Sequence, residues 1–518
     1  MNSSARPTAH AVATLAIAAP WLNPFASGPS PPVQQWLFTG LCAAVLLLWL
    51  ALQQPERGEL ARATASGWLL AALASSAIGL VQYFGAADAF APWVNGTGAG
   101  EAFANLRQRN QFATLTSIGL TALLWWQAQG PISATESVGH ARHAGLLFMA
   151  ALLALGNAAS SSRTGMVQLL LLGLCLALWG LLERRSGQPG TQRTTAQLFL
   201  FALLVYGLAL WALPRLAGLN AAGHGALTRL VEGDSACGSR LTLWGNVLHL
   251  IAQKPWRGWG WGELSYAHYI TLYPGNRFCD ILDNAHNLPL QLAVELGLPA
   301  ALVLCAGALA LGLRARPWRE REPARRMAWA ALGVILLHSM LEYPLWYGPF
   351  LMAALLCLAL LLRPRAAAGL VASTLTHPAR LAASAAAVFL LVFVAYTAWD
   401  YDRISQIFLP SSQRSPAYKD GTLAKAQGSL LFEKVVRYAE LTTTPVTRSN
   451  AERMRAMALA LLHFSPEARV VEKLIEADVQ LGLDDEALFH MQRFRAAFPD
   501  EYARWRKGGT SGLTDAPP

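Results

Sequence analysis

Three arginines near the ends of apolar segments could bind a phosphate group. Arg107 and Arg109 begin one apolar segment, and Arg163 begins another after three serines. Each lies at a predicted helix N-terminus, where free N–H groups and the helix dipole also attract an anion. A guanidinium matches phosphate oxygens bidentately, and amides such as Gln108 and Asn110 can donate to further oxygens. These residues predict a membrane-embedded phosphate or pyrophosphate ligand; the alternative is that the arginines only reach toward lipid headgroups.

A long polar stretch supplies a further cation and a candidate base. It covers residues 218–284, contains Arg240, and is followed by His286 and Asn287. An imidazole titrates near neutrality and can accept a proton from a hydroxyl. A histidine at a helix start can also be only a cap or an interfacial residue. The neighbouring Asn284 and Asn287, and the polar stretch before them, favour a functional role.

Two other patterns point to weaker possibilities. The glycine- and tryptophan-rich run at 258–262 is superficially like a nucleotide-binding loop, but no strand precedes it, so turns packed by indole rings are expected. The Asp400-Tyr401-Asp402 run could hold a metal with a sugar phosphate, although a solvated helix start is the simpler interpretation. The sequence contains no zinc-ligand spacing, P-loop or Ser-His-Asp arrangement. We therefore expect neither a metal nor a cofactor.

The composition indicates that these residues belong to a membrane protein. Of 518 residues, 54% are hydrophobic and only 14% are charged, which is more apolar than a soluble domain of this size. A net charge of +10 would suggest a nucleic-acid partner in a soluble chain. Here the arginines lie between apolar segments, where they set membrane topology, so no nucleic-acid partner is expected.

About eleven segments are long and apolar enough to cross a hydrocarbon core of ~30 Å. They cover residues 10–22, 33–53, 66–85, 106–129, 143–159, 164–182, 195–216, 286–313, 327–343, 346–362 and 381–399. The expected fold class is therefore all-α, a polytopic membrane protein.

The arginine distribution predicts the orientation of these segments. The short loops at 23–32, 86–105 and 342–349 contain no arginine, whereas the loops on the other side are rich in it. By the positive-inside rule the N-terminus is cytoplasmic. The long polar stretch and everything after Trp399 then lie outside, which in a Gram-negative cell is the periplasm.

This orientation divides the chain into four parts. Residues 1–217 are N-terminal transmembrane helices, 218–285 a large periplasmic loop, 286–399 C-terminal transmembrane helices, and 400–518 a periplasmic helical domain. Within the last part, two Phe-Pro-containing patterns about 34 residues apart are typical of a tetratricopeptide-like hairpin. That domain could be a structural cap or a surface that recruits an acceptor, and its last residues, 508–518, are expected to be a frayed end.

Two of the six cysteines, Cys237 and Cys279, lie in the large loop. They could form a disulfide if the loop faces an oxidising compartment. The sequence leaves this open because it does not give the separation of their Cα atoms.

Five motifs together resemble a known superfamily. They are NLRQRNQ at 105–111, SSRTG at 161–165, SRLTLW at 239–244, NAHN followed by LAVELG at 284–297, and HSMLEYPLWY at 338–347. Over nearly the whole chain, the sequence resembles the superfamily of O-antigen ligases, O-antigen polymerases and bacterial protein O-oligosaccharyltransferases. The arginine and His-Asn motifs separate its members poorly. The last motif and the helical tail are most similar to the PglL-type O-oligosaccharyltransferases.

The resemblance implies a metal-independent, inverting glycosyltransferase of the GT-C kind that takes a glycan from undecaprenyl pyrophosphate on the periplasmic side. It implies that Arg163 and Arg240 bind the pyrophosphate and that His286 deprotonates or orients the acceptor hydroxyl. Arg107 and Arg109 would line the donor site, but Arg109 stands where the family pattern has an uncharged residue, which leaves open which of the two faces the donor. The supporting residues are Gln108, Asn110, Asn287, Glu342 and Tyr343.

The function expected from this resemblance is protein O-glycosylation at the inner membrane, with a Ser or Thr of a pilin-like periplasmic protein as acceptor. An O-antigen ligase acting on lipid A-core and an O-antigen polymerase are the alternatives within the superfamily. A transporter of membrane lipid or glycolipid is the non-enzymatic alternative; transporters commonly carry internal repeats, and none is seen here. Membrane lipids are expected as further partners.

Overall fold

A computed structural model describes residues 5–25, 33–130, 136–185, 191–219, 237–362 and 376–507. Every regular element in these ranges is a helix, which confirms the all-α fold class. The expected frayed end at 508–518 lies outside the described residues, as do 220–236 of the large loop.

The described ranges contain the following α-helices in chain order. They are α1 (Ala5–Leu22), α2 (Val33–Gln53), α3 (Arg57–Tyr83), α4 (Arg109–Ala128), α5 (Glu136–Ala159), α6 (Arg163–Arg185), α7 (Thr191–Leu216), α8 (Arg240–Gln253), α9 (Leu264–Ile270), α10 (Leu288–Leu296), α11 (Leu298–Ala315), α12 (Pro323–Ser339), α13 (Gly348–Leu362), α14 (His377–Ser405), α15 (Thr422–Ala426), α16 (Glu433–Thr443), α17 (Ala451–Leu462), α18 (Ala468–Leu481), α19 (Asp484–Ala497) and α20 (Pro499–Arg506). Short 3-10 helices cover Ala87–Phe90, Ala104–Leu106, Pro317–Arg319, Pro344–Trp346, Gln406–Phe408 and Pro416–Tyr418.

The membrane-protein prediction is confirmed by the length and composition of these helices. Among the described residues, seven helices are long and apolar enough to cross a membrane: Val33–Gln53, Arg57–Tyr83, Gly139–Ala159, Arg163–Arg185, Arg193–Leu216, Leu298–Arg319 and His377–Phe408. A shorter apolar helix covers Gly348–Leu362. Each of the eleven predicted segments contains a helix, but some of these helices are too short or too polar to count as membrane-spanning by length and composition alone. The clearest case is α4, which carries hydroxyl and amide side chains and buries them against its neighbours.

The chain divides into two compact units. The first comprises Met1–Gly233 and Ala310–Val394, and the second comprises Asp234–Leu309 and Ala395–Pro518. The second unit therefore groups residues of the large loop with the C-terminal helices, which the four-part division had assigned to separate parts.

The first unit is built around α4, which packs against α3, α5, α6, α7 and α12. Small residues allow the close approach of these helices, as is usual in membrane bundles. A Cβ at Gly119 of α4 would clash with Ala72 of α3, and one at Gly165 of α6 would clash with Ala113 of α4. The start of α6 is consequently held tightly against the start of α4.

The second unit contains a helical core in which α17, α18 and α19 pack successively. Amphipathic helices bury Leu474 and Phe494 there, and Gly482 ends α18 in the left-handed conformation that lets the chain turn into α19. Residues of the large loop join the same core: Tyr269 at the end of α9 is fully buried, and its hydroxyl lies 3.1 Å from Nδ1 of His490 in α19. The loop and the C-terminal helices are thus one packed body.

Candidate active site

Three of the sequence motifs meet around the side chain of Asn110 in the first unit. Asn110 lies in the first turn of α4, and its Nδ2 donates to Glu342 Oε1 at 3.2 Å. Its Oδ1 accepts from Ser162 Oγ at 2.7 Å. Ser162 Oγ also accepts from the backbone N–H of Gly165 at 3.0 Å, so it caps α6. We call these three residues, Asn110, Ser162 and Glu342, the Asn110 cluster; Arg163 follows it directly as the first residue of α6.

Buried polar side chains continue this network along α4. Thr114 Oγ1 donates to the backbone carbonyl of Asn110 at 2.7 Å and accepts from Gln168 Nε2 of α6 at 2.7 Å. The same hydroxyl lies 2.9 Å from Nδ1 of His338, which is fully buried at the end of α12. Inside a membrane bundle, polar groups must find partners in the protein because water is excluded. The network therefore fixes how α4, α6 and α12 meet near the Asn110 cluster.

Sequence reasoning missed His338, Thr114 and Gln168 as members of this network. A signal for part of it was present, because the polar residues of α4 recur at positions 110, 114, 117 and 121. This spacing puts them along one side of the helix. His338 was within a recognised motif, but the sequence did not show that its ring would face α4.

The two neighbouring arginines have different partners on the segment that precedes α4. Arg107 has a left-handed backbone, with φ of 56°, and its Nη2 donates to Asn95 Oδ1 at 2.7 Å. Arg109 is the first residue of α4 and forms an ion pair with Glu101. Arg109 is thus opposed by a carboxylate, whereas the partner of Arg107 is a neutral amide.

Gln108 and Tyr343 contribute less specific contacts. Gln108 occupies the N-cap position of α4, but its side chain makes no capping hydrogen bond. Tyr343 follows Glu342 and stacks on Tyr347 with ring centroids 5.8 Å apart. Both side chains are half-buried beside the residues of the network.

The other two motifs lie in the second unit, at the starts of α8 and α10. Arg240 is the first residue of α8, which Ser239 caps by accepting from the N–H of Thr242 at 3.2 Å. Asn287 caps α10 in the same way, accepting from the N–H of Leu290 at 3.1 Å. Arg240 therefore lies at a helix N-terminus, within a stretch that the sequence analysis had described only as a polar loop.

His286 has a left-handed backbone, with φ of 49°, which is uncommon for a residue other than glycine. Its N–H donates to the side-chain oxygen of Asn284, a buried residue, at 2.9 Å. Such strain costs about 1–3 kcal/mol and tends to occur where a side chain must be aimed in one direction. The structure thus gives Asn284 a specific role in holding His286.

Cross-links join the segments that carry Arg240 and His286. Cys237 and Cys279 form a disulfide, with Cα atoms 5.2 Å apart, just before each segment. Trp244 Nε1 of α8 donates to the carbonyl of Ala285 at 3.2 Å. Asn246, two residues further along α8, accepts from the N–H of Phe278 at 2.8 Å. The two segments therefore run together as one framework within the second unit.

The glycine- and tryptophan-rich run packs backbone to backbone against the end of α10. The N–H groups of Trp259 and Gly260 donate to the carbonyls of Val294 and Glu295 at 2.8 and 3.0 Å. A Cβ at Gly258 would clash with the Glu295 carbonyl. The run is therefore a turn docked on a helix end, in agreement with the sequence analysis.

Asp400 is not at a solvated helix start, which corrects one interpretation of its motif. It lies near the end of α14, is fully buried, and pairs with Arg403 at 2.5 Å. Its other oxygen accepts from Ser429 Oγ at 2.8 Å. The described residues contain no group of three or more His, Cys, Asp or Glu side chains that could hold a metal.

Comparison with known proteins finds three family models that match parts of the chain. Residues 148–305, which include Arg163, Arg240 and His286, match the family model described as O-Antigen ligase. Residues 102–126, with the Arg107 motif, match the one described as Protein glycosylation ligase. The chain is thus similar to PglL-type members of the O-antigen ligase superfamily. The chain also matches, over residues 326–510, the model described as Virulence factor membrane-bound polymerase, C-terminal.

Two proteins similar to this chain come from Acinetobacter baylyi strain ADP1. It is 26% identical over 294 residues to a General O-oligosaccharyltransferase, covering 56% of this chain and 49% of the relative. It is 23% identical over 255 residues to a ComP-specific O-oligosaccharyltransferase, covering 49% of this chain and 42% of that relative. The match spans about half the length of each relative.

Proposed function

We propose that this protein is an inner-membrane protein O-oligosaccharyltransferase. It would transfer a glycan from undecaprenyl pyrophosphate to a Ser or Thr hydroxyl of a periplasmic acceptor such as a pilin, with inversion and without a metal. The observation that carries the proposal is that Arg163, Arg240 and His286 all lie at helix starts within the O-antigen ligase match. The match of residues 102–126 to a protein glycosylation ligase favours a protein acceptor.

Arg163 and Arg240 are assigned to the pyrophosphate leaving group. Each is the first residue of its helix, so its charge adds to that of free N–H groups and the helix dipole. When the bond between the anomeric carbon and the pyrophosphate breaks, the leaving group takes the electron pair. Fixed cations stabilise this developing charge strongly where water is excluded.

Of the two neighbouring arginines, Arg107 is assigned to the donor. Arg109 forms an ion pair with Glu101, which offsets its charge, whereas Arg107 is held by the amide of Asn95 and keeps its formal charge for an anion. The extra arginine of the motif is then explained as a local ion pair.

His286 is assigned as the base that accepts the proton of the acceptor hydroxyl while its oxygen attacks the anomeric carbon. General base catalysis of this kind typically contributes about 10²–10⁴-fold to the rate. The hydrogen bond that the His286 N–H donates to Asn284 Oδ1, together with the left-handed backbone, fixes the direction in which the His286 side chain leaves the backbone. The arginine distribution supports a periplasmic location for His286 and the C-terminal helices.

Transfer in vitro tests the proposal. Full-length protein in liposomes receives undecaprenyl-pyrophosphate-linked oligosaccharide with a pilin acceptor or with lipid A-core, in the presence of EDTA. We expect glycan on the pilin at an undiminished rate in the chelator. Arg163→Ala, Arg240→Ala and His286→Ala should each lower turnover by about 10²-fold or more, while Arg257→Ala, which removes an exposed arginine of the second unit, should not.

Each other result has a definite meaning. Wild-type turnover in all three variants would refute the site assignment. Transfer to lipid A-core alone would make the protein an O-antigen ligase, and lengthening of the lipid-linked glycan would make it a polymerase. The matches to ligases, transferases and a polymerase already disfavour a transporter.

A further inference from the structure

The first unit contains a cavity of about 140 Å³ between α4, α6 and α12. The cavity is lined by the C-terminal halves of α4 and α6, whose first residues are Arg109 and Arg163, and by the first turns of α12. It is therefore at the ends of these helices that point away from the Asn110 cluster. It is separate from every residue assigned to the reaction above.

The walls of this cavity are mostly apolar. Leu124 of α4, Leu172 and Leu176 of α6, and Met327 and Ala330 of α12 line it. Of the three helices that supply these walls, α4 and α12 pack against other helices of the bundle on their remaining sides. The third, α6, is apolar enough to cross a membrane. An apolar space of this kind suits a hydrocarbon chain.

The mouth of the cavity carries a net positive charge. Arg321 and Arg326 line it, and Glu183 is the one acidic residue among the described lining residues. Glu183 pairs with Arg326 at 2.5 Å, and the Arg326 guanidinium also lies over the ring of Trp179 at 5.4 Å. The ion pair offsets Arg326, so the exposed Arg321 determines the charge that an entering ligand meets.

One polar atom in the wall lacks a hydrogen-bond acceptor. Trp125 lines the cavity and is only 6% exposed, and its Nε1 has no hydrogen-bond partner among the described residues. Buried indole N–H groups ordinarily find an acceptor, and tryptophans at membrane boundaries find it among lipid head-group oxygens. A ligand oxygen between the cationic mouth and the apolar walls would supply the missing acceptor.

We propose that this cavity binds an anionic phospholipid. One acyl chain lies between Leu172, Leu176 and Met327, an ester carbonyl accepts from Trp125, and the phosphate lies at Arg321. A soluble anion would leave the apolar walls unused, and a neutral lipid would not use the arginine. Basic pockets between membrane helices bind anionic head groups for the same reasons.

Native mass spectrometry of the purified full-length protein in detergent tests this site. The protein is titrated with phosphatidylglycerol, with phosphatidylcholine of the same acyl chains, or with inorganic phosphate. We expect one tightly bound phosphatidylglycerol, weaker binding of phosphatidylcholine, and no retained phosphate. Arg321→Ala and the cavity-filling Ala330→Phe should each lower the affinity about tenfold, and Arg314→Ala, an exposed arginine outside the cavity, is the matched control.

Trp125→Phe separates a specific site from general attraction to the protein surface. It keeps an aromatic wall but removes the N–H, so phosphatidylglycerol affinity should fall about threefold to tenfold without loss of folded protein. Equal effects of Arg314→Ala and Arg321→Ala would overturn the proposal, because they would show surface electrostatics. Unchanged binding in both Trp125→Phe and Ala330→Phe, or phosphate retained as well as lipid, would overturn it too.

Discussion

The two units hold their candidate residues by different means. In the first unit, Arg163 follows the Asn110 cluster, whose members come from three helical regions and bond side chain to side chain. In the second unit, Arg240 and His286 lie on short segments secured by a disulfide, helix caps and bonds to the backbone. The same kind of residue, a cation at a helix start, is thus fixed in two ways.

The difference follows from what surrounds each segment. Within the helix bundle of the first unit, close packing already fixes the helix ends, so one amide can join three of them. The described loop segments of the second unit carry only the short helices α8, α9 and α10, of 14, 7 and 9 residues. Covalent and local hydrogen bonds must therefore restrict them, and the two units should respond differently to reduction, acid and loss of an amide.

Removal of the disulfide should have the largest effect. In Cys237→Ser/Cys279→Ser, the second unit should lose about 4 kcal/mol, because the bond closes a loop with a separation of 42 residues. Hydrogen–deuterium exchange of the full chain in detergent should speed up over residues 237–290 and stay unchanged in α4 and α6. Cys305→Ser, which removes a free cysteine, is the control. Equal acceleration of exchange in both units would show that the disulfide does not stabilise the second unit in particular.

Mild acid should have the second-largest effect, a loss of stability in the second unit. Burial, with Arg493 and Arg455 nearby, lowers the pKa of His490 from 6.5 to about 4. Between these values the unfolded chain binds the proton more readily than the folded one, so stability falls as the pH drops below 6.5. At pH 5 the loss from this residue is about 2 kcal/mol.

Exchange rates at pH 7.5 and pH 5, corrected for the intrinsic pH dependence, measure this effect. Peptides from α9, α17 and α19 should become less protected at the lower pH. In His490→Gln the additional loss at pH 5 should shrink. If His490→Gln showed the same pH dependence as the wild type, the titration would lie elsewhere.

Loss of one amide in the first unit should have a smaller effect on stability. Asn110→Ala removes one hydrogen-bond partner each from Ser162 Oγ and Glu342, both buried, and should cost about 1–3 kcal/mol. Protection at the start of α6 should fall, and transfer should slow with it. Gln108→Ala, which removes a side chain without a capping bond, should change stability by less than ~0.5 kcal/mol. Equal effects of the two substitutions would show that the Asn110 cluster does not hold α6.

The helices could be predicted from the sequence, because apolar composition and helix starts are local properties. All eleven predicted segments contain helices, and Arg163 begins a helix as expected, whereas the helix that begins at Arg240 was not predicted. The motif residues could be found as well, since arginine and histidine beside apolar segments are conspicuous. Whether Cys237 and Cys279 form a disulfide could not be predicted, because this depends on the separation of their Cα atoms.

The contacts between distant segments could not be predicted. Asn110 bonds to Ser162 and Glu342, which are 52 and 232 positions away, and neither spacing has a local pattern. Tyr269 and His490 are 221 positions apart, so the packing of the loop with the C-terminal helices could not be predicted from the sequence either. His286 has a left-handed backbone, and its N–H donates to the side chain of Asn284, two residues before it. The sequence alone does not select this conformation from the others that an Asn-Ala-His-Asn run can adopt.

Gly258 and Gly297 limit how relatives of this protein can diverge. Each glycine lies where a Cβ would clash with the backbone of the other segment, and both have positive φ. Substitution of either would push residues 256–260 away from the end of α10, which begins beside His286. Length variation during evolution is therefore expected in other parts of the loop, where it would not disturb the histidine.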